Sequence, residues 1–286
     1  MTTVRIASGT QRDILGEGPL WCDSQNALFW VDIFGKKIHR LYPATGQIRS
    51  WPLPELIGWI IERRNGNGFV AGLKSGFALL RLDPVSIEWI GNPEMDRPFN
   101  RPNDAKADRQ GRIWAGTKDD RDQEATGALY RLDPSLQWSR VDDGYTVANG
   151  PTFSLDYRTV FHTDSAARTV YALDLADNGD IAKRRVWLRF EEEWGYPDGM
   201  TTDAEGCIWI AHWGGARVSR FRANGKLDRS IAMPTTNITS VTFGGPDLRR
   251  MFVTSASHGC KGEPEAGALF EVDAGVEGIP SNTFAG

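Results

Sequence analysis

The sequence is poor in the features that mark many functional classes. It holds three cysteines, Cys22, Cys207 and Cys260, widely spaced and odd in number. That argues against a disulfide framework, and each is expected as a buried free thiol beside an apolar strand. Nowhere do 18 apolar residues run together, and the start, Met1-Thr2-Thr3-Val4-Arg5, lacks an apolar leader. Neither a membrane-spanning helix nor a secretory signal is expected. Charge of one sign is missing too. Against 37 Asp and Glu stand 33 Lys and Arg, a formal charge of −4, with no arginine-rich stretch to hold nucleic acid. Paired-cysteine, HExxH and GxSxG motifs are absent, which leaves zinc-finger, zincin and serine-hydrolase readings without support. The expectation is a cytoplasmic protein, monomeric or weakly oligomeric, with a small-molecule partner and neither nucleic acid nor membrane.

What is present points to strands. The chain has 286 residues, 40% of them hydrophobic, enough to bury a large core. No Pro/Ser-rich linker divides it, so one domain over residues 1–286 is expected. Short runs such as Ala27-Leu28-Phe29-Trp30-Val31, Ile113-Trp114-Ala115-Gly116 and Ile208-Trp209-Ile210-Ala211 are rich in β-branched and aromatic residues. Between them lie turn pairs such as Asp133-Pro134, Asn178-Gly179 and Asn224-Gly225. No amphipathic helical pattern of even three turns occurs. The chain is all-β.

The strands repeat. Asn103-Asp104-Ala105 through Gly111-Arg112-Ile113-Trp114 aligns with Asp198-Gly199-Met200 through Gly206-Cys207-Ile208-Trp209. Asn149-Gly150-Pro151 and Glu17-Gly18-Pro19 open further copies, and two more begin near Gly58 and Thr239. Repeats of about 40 to 50 residues indicate a solenoid, an array or a propeller. Four short antiparallel strands per copy make a blade, and six copies predict a six-bladed β-propeller.

In a propeller the first strand of each blade lines the central channel, and its opening residue sits at one mouth. Glu17, Asn103, Asn149 and Asp198 then converge from four blades. Each alone is an ordinary turn residue; equal phase in four repeats makes them a candidate site. Carboxylate and amide oxygens form a hard donor set suited to Ca²⁺, Mg²⁺ or Mn²⁺, and Zn²⁺ accepts carboxylates as well. The second strand of each blade returns to the same mouth about 15 residues on, at Asp32, Lys118-Asp119, Asp164 and His212. These are candidates to face substrate or to orient a ligand from behind, Asp164 foremost. Asp108, Asp156 and Asp203 recur in the turn after the first strand and read as structural acids. His39 and His162 read as packing or surface residues, and His258 as a loop residue.

Several segments carry a resemblance. Leu15-Gly16-Glu17-Gly18-Pro19-Leu20-Trp21, Arg101-Pro102-Asn103-Asp104-Ala105, Ala148-Asn149-Gly150-Pro151, Tyr196-Pro197-Asp198-Gly199-Met200 and Phe243-Gly244-Gly245-Pro246-Asp247-Leu248 resemble the SMP-30/gluconolactonase/luciferin-regenerating-enzyme family, in its order and along nearly the whole chain. The resemblance implies a six-bladed propeller holding one divalent cation (Ca, Zn, Mn, Mg or Fe(II)). Carried over by position, it implies Glu17, Asn149 and Asp198 as metal ligands, with Asp198 also the general base. It implies Arg101 and Asn103 as substrate contacts. A further acidic contact falls in Lys118-Asp119-Asp120-Arg121, where Asp119 and Asp120 are the acids and Arg121 stands where some relatives have glutamate. The implied activity is hydrolysis of a sugar lactone (xylono-, arabinono-, galactono- or gluconolactone) to the aldonic acid. The alternatives are a phosphotriesterase or arylesterase on the same channel site, and a non-enzymatic binding propeller stabilised by its metal.

Overall fold

A computed structural model describes residues 3–7 and 9–286. Six four-stranded antiparallel sheets follow one another as the blades of a propeller. Their innermost strands are Gly16–Cys22, Ile57–Glu62, Asn100–Ala107, Ala148–Phe153, Tyr196–Thr202 and Ile238–Gly244. Each of the six opening residues inferred from the repeat falls in one of them. Among the described residues helix is confined to two single 3₁₀ turns, Asp23–Gln25 and Glu192–Trp194.

The sixth blade is built from both ends of the chain. Downstream of Ile238–Gly244 it has only Arg250–Ser255 and Phe270–Asp273, and its outer strand is Val4–Ile6 from the N-terminal end. Val4 lies opposite Val272 and Ile6 opposite Phe270. The ring is therefore closed by a strand far away in sequence, which ties the last blade to the chain that enters the first.

The tryptophans explain much of the repeat. Trp114 and Trp209 are wholly buried between blades, where a bare indole N–H would go unpaired. Asp108 accepts from Trp114 Nε1 at 2.9 Å, and Asp203 accepts from Trp209 Nε1 at 2.9 Å. The same carboxylates accept turn amides, from Gln110 and Arg112 at Asp108 and from Glu205 and Cys207 at Asp203. The recurring Asp–Gly–Trp spacing thus encodes a turn braced to a buried ring. Cys22 and Cys207 are buried as expected, whereas Cys260 is half-buried in a loop; all three are free thiols.

The lower end of the channel narrows to a space of about 60 Å³, lined by Lys106, Met200 and residues 279–282. Lys106 Nζ crosses from the third blade to donate to the Met200 carbonyl of the fifth, at 2.9 Å. The C-terminal segment is pinned by the fully buried Phe284, whose N–H donates to the Glu62 carbonyl. The channel is wide at its upper mouth and narrow below.

Candidate active site at the upper mouth

All six inner strands break register at or beside their opening residue. The shifts fall between Glu17 and Leu20, Ile57 and Trp59, Pro102 and Ala105, Asn149 and Thr152, Pro197 and Met200, and Ile238 and Ser240. A bulge re-aims a side chain that regular pleating would send elsewhere. Gly18 and Gly150 hold φ of +53° and +60° directly after Glu17 and Asn149, a left-handed backbone that glycine adopts without steric cost. The Glu-Gly and Asn-Gly pairs are thus turn residues and site residues at once.

The bulges bring Glu17, Arg101, Asn103, Asn149 and Asp198 to the wall of one cavity of about 410 Å³. A hydrogen-bond relay holds the amides. Arg101 Nη1 donates to Asn103 Oδ1 at 2.8 Å, and Asn103 Nδ2 donates to Asn149 Oδ1 at 2.7 Å and to the Ala148 carbonyl at 2.8 Å. Asn149 Nδ2 donates onward to Ser165 Oγ at 2.9 Å, and that hydroxyl donates to the Pro197 carbonyl at 2.6 Å, one residue before Asp198. Three blades are tied together by this line.

The acids are not satisfied in the same way. Asp198 Oδ1 is buried and has no hydrogen-bond partner. The Glu17 carboxylate accepts only the N–H of Gly18, at 3.1 Å. Burial pushes both carboxyls well above their ordinary range, and repulsion from Asp104 adds to it at each; Glu17 is raised further by Asp198. Buried carboxylates that face one another with spare lone pairs repel, and a cation between them relieves that repulsion. Glu17, Asn149 and Asp198 could hold a hard divalent ion, and the donor set fits one.

The second-strand candidates return to this mouth as the topology requires: Asp32 lies opposite Gly16, Asp119 opposite Asn100, Asp164 opposite Ala148 and His212 opposite Pro197. Their side chains serve other ends. Asp164 accepts the backbone N–H groups of Thr146 and Val147, holding the loop that enters the fourth blade. Asp119 is folded into its own loop, accepting from Arg121, Gln123 N and Glu124 N, and does not reach the cavity. His212 is buried against Phe190, with Nδ1 2.8 Å from the Trp194 carbonyl; burial lowers it to about 4, so the ring is neutral. Asp120 accepts from Arg101 Nε at 2.7 Å and acts on the site through that guanidinium. Among the described residues Asp13, Asp32 and His39 form a compact group, but Asp13 already accepts from Trp30 and Gln11, and Asp32 from the N–H groups of Ile14, Leu15 and Gly35. That group braces the first blade.

Three residues of the site escaped the sequence reading. Ser165 carries the relay, while Asp104, a third buried acid, and Lys106, which faces it from the same strand, line the narrower space just below. Asp104 and Lys106 stand next to an opener in the repeat; nothing in sequence singled out Ser165.

Residues 15–257 match the family model described as SMP-30/Gluconolactonase/LRE-like region, and the chain belongs to this family. Regucalcin of Gallus gallus is 36% identical over 300 residues, covering 100% of both proteins. The 6-deoxy-6-sulfogluconolactonase of Pseudomonas putida is 33% identical over 282 residues, covering 96% of this chain and 97% of that protein. Among solved structures, a luciferin-regenerating enzyme matches with a TM-score of 0.94 at 30% identity over 100% of each chain.

Proposed function

We propose that the protein is a lactonase that hydrolyses an aldonolactone, such as xylono-, arabinono-, galactono- or gluconolactone, to the aldonic acid. One divalent cation, held by Glu17, Asn149 and Asp198, takes part. The observation that carries this reading is the partnerless Asp198 oxygen beside Glu17 in an open cavity. A full-length relative named as a sugar lactonase supports it.

When bound, the cation supplies the charge that polarises a lactone carbonyl. Asp198 accepts the proton of the attacking water as the water oxygen bonds to the carbonyl carbon. The ring C–O bond then breaks, and the departing alkoxide takes up that proton. Arg101 stays protonated and so binds and orients; its Nη2 donates to no described residue. Asn103 has both amide protons committed to Ala148 and Asn149, which leaves a lone pair on Oδ1 to accept a sugar hydroxyl.

The test is pH-stat hydrolysis of those four lactones by chelated protein, with Ca²⁺, Mg²⁺, Mn²⁺, Zn²⁺ or Fe²⁺ restored singly. The expected result is cation-dependent turnover well above spontaneous ring opening for at least one lactone. A panel that stays at the spontaneous rate with every cation overturns the lactonase reading, and activity on aryl esters or phosphotriesters would then replace it.

A further inference from the structure

We propose that Lys118 recognises an anionic substituent on the substrate, so that the preferred lactone carries a carboxylate, sulfonate or phosphate on a carbon other than the lactone carbonyl. This rests on the lactonase reading above and narrows it. Lys118 lies in the second strand of the third blade, directly opposite Arg101, and lines the same cavity. Its side chain is only 11% exposed, and its field reaches Asp198 on the fifth blade.

Lys118 is a second cation buried beside Arg101, where a neutral sugar brings no charge to meet it. Burying an ammonium is costly unless a negative charge meets it. Burial, and then the Arg101 charge, hold the Lys118 ammonium below its ordinary range. The partner it has is Asp122, whose side chain is 56% exposed on a loop tip with φ of +57°. A pair whose acid is so open to water exchanges readily for a better anion. Asp122 thus stands where a ligand anion would lie.

Charge counting around the cavity agrees. Glu17 and Asp198 are balanced by one divalent cation, and Asp104 by Lys106. Behind the Arg101 wall Lys74, Arg101 and Lys118 all act on Asp120, and Asp122 is the other acid facing Lys118. Three cations meet two carboxylates there. The loaded pocket is one negative charge short, and an anionic substrate supplies it.

The experiment compares kcat/KM for a neutral hexonolactone and for its analogue bearing a 6-carboxylate, 6-sulfonate or 6-phosphate, in the wild type, Lys118→Met and Asp122→Asn. The wild type is expected to favour an anionic analogue. Lys118→Met should lower the anionic-to-neutral ratio by roughly 10- to 100-fold, the range of one charge-assisted hydrogen bond. Asp122→Asn, which removes the competitor, should raise it. A wild type with no anionic preference, or a ratio that neither variant moves, overturns the inference while leaving the lactonase reading intact. If Lys118→Met does not fold, Asp122→Asn decides alone, and an unchanged ratio counts against the inference. If no lactone is hydrolysed, calorimetry with the ring-opened mono- and di-anionic acids decides. Equal binding of the two acids by the wild type, or a preference that Asp122→Asn leaves unchanged, again overturns it.

Discussion

Asp198 and Asp203 stand five residues apart on the same blade, and both are buried. Asp203 accepts from Glu205 N, Cys207 N, Trp209 Nε1 and Arg220 Nε, and forms a 2.7 Å ion pair with that buried arginine. Asp198 has an oxygen that nothing satisfies, and its carboxyl is raised by burial and by Asp104. Residue type and burial do not separate the structural acid from the functional one. Hydrogen-bond satisfaction does. Folding completes the surroundings of Asp203 and leaves those of Asp198 for something that arrives later.

The sharpest way to break this comparison is activity. Asp198→Asn should reduce kcat/KM on the preferred lactone by ~10³-fold or more, as expected when a base and ligand is lost. Unchanged turnover would show that Asp198 is no more functional than Asp203. Stability reverses the ranking. Asp203→Asn strips Arg220 of its closest buried partner and should cost about 3 kcal/mol in denaturant unfolding. A loss no larger than that of a surface substitution would remove the structural role.

A smaller effect sharpens the contrast. A carboxyl raised in the folded state contributes stability that is fully present below its unfolded value and is lost as pH rises through its folded one. The chelated wild type therefore carries a penalty at neutral pH that Asp198→Asn relieves. The metal-free variant should be the more stable of the two at pH 7 to 8. The advantage should shrink toward pH 4 and vanish once the fitting cation is restored to the wild type. Thermal melts across that range check it, and a variant less stable at every pH refutes the account of an unsatisfied acid.

Much of this was legible in sequence because a repeat makes phase visible. The six openers, Glu17, Gly58, Asn103, Asn149, Asp198 and Thr239, were found by alignment alone, and each lies in an inner strand at or beside a bulge. The turn acids Asp108 and Asp203 were recognised for the same reason. The second-strand residues were located correctly along the chain, but their direction was not readable. Asp164 and Asp119 are spent on loop amides, and only Lys118 of that group lines the cavity. A position in a strand tells which mouth a residue approaches. It does not tell which competing donor claims the side chain.

By itself, the sequence determined the strand type, the blade count and the oxygen-rich residues of the channel mouth, because these follow from local pattern and its recurrence. Only the tertiary structure decided the rest. It closes the ring with Val4–Ile6, runs the relay from Arg101 through Ser165 across three blades, and leaves Asp198 unsatisfied while satisfying Asp203. Each of these depends on groups brought together from distant parts of the chain, and burial and pairing exist only once they meet.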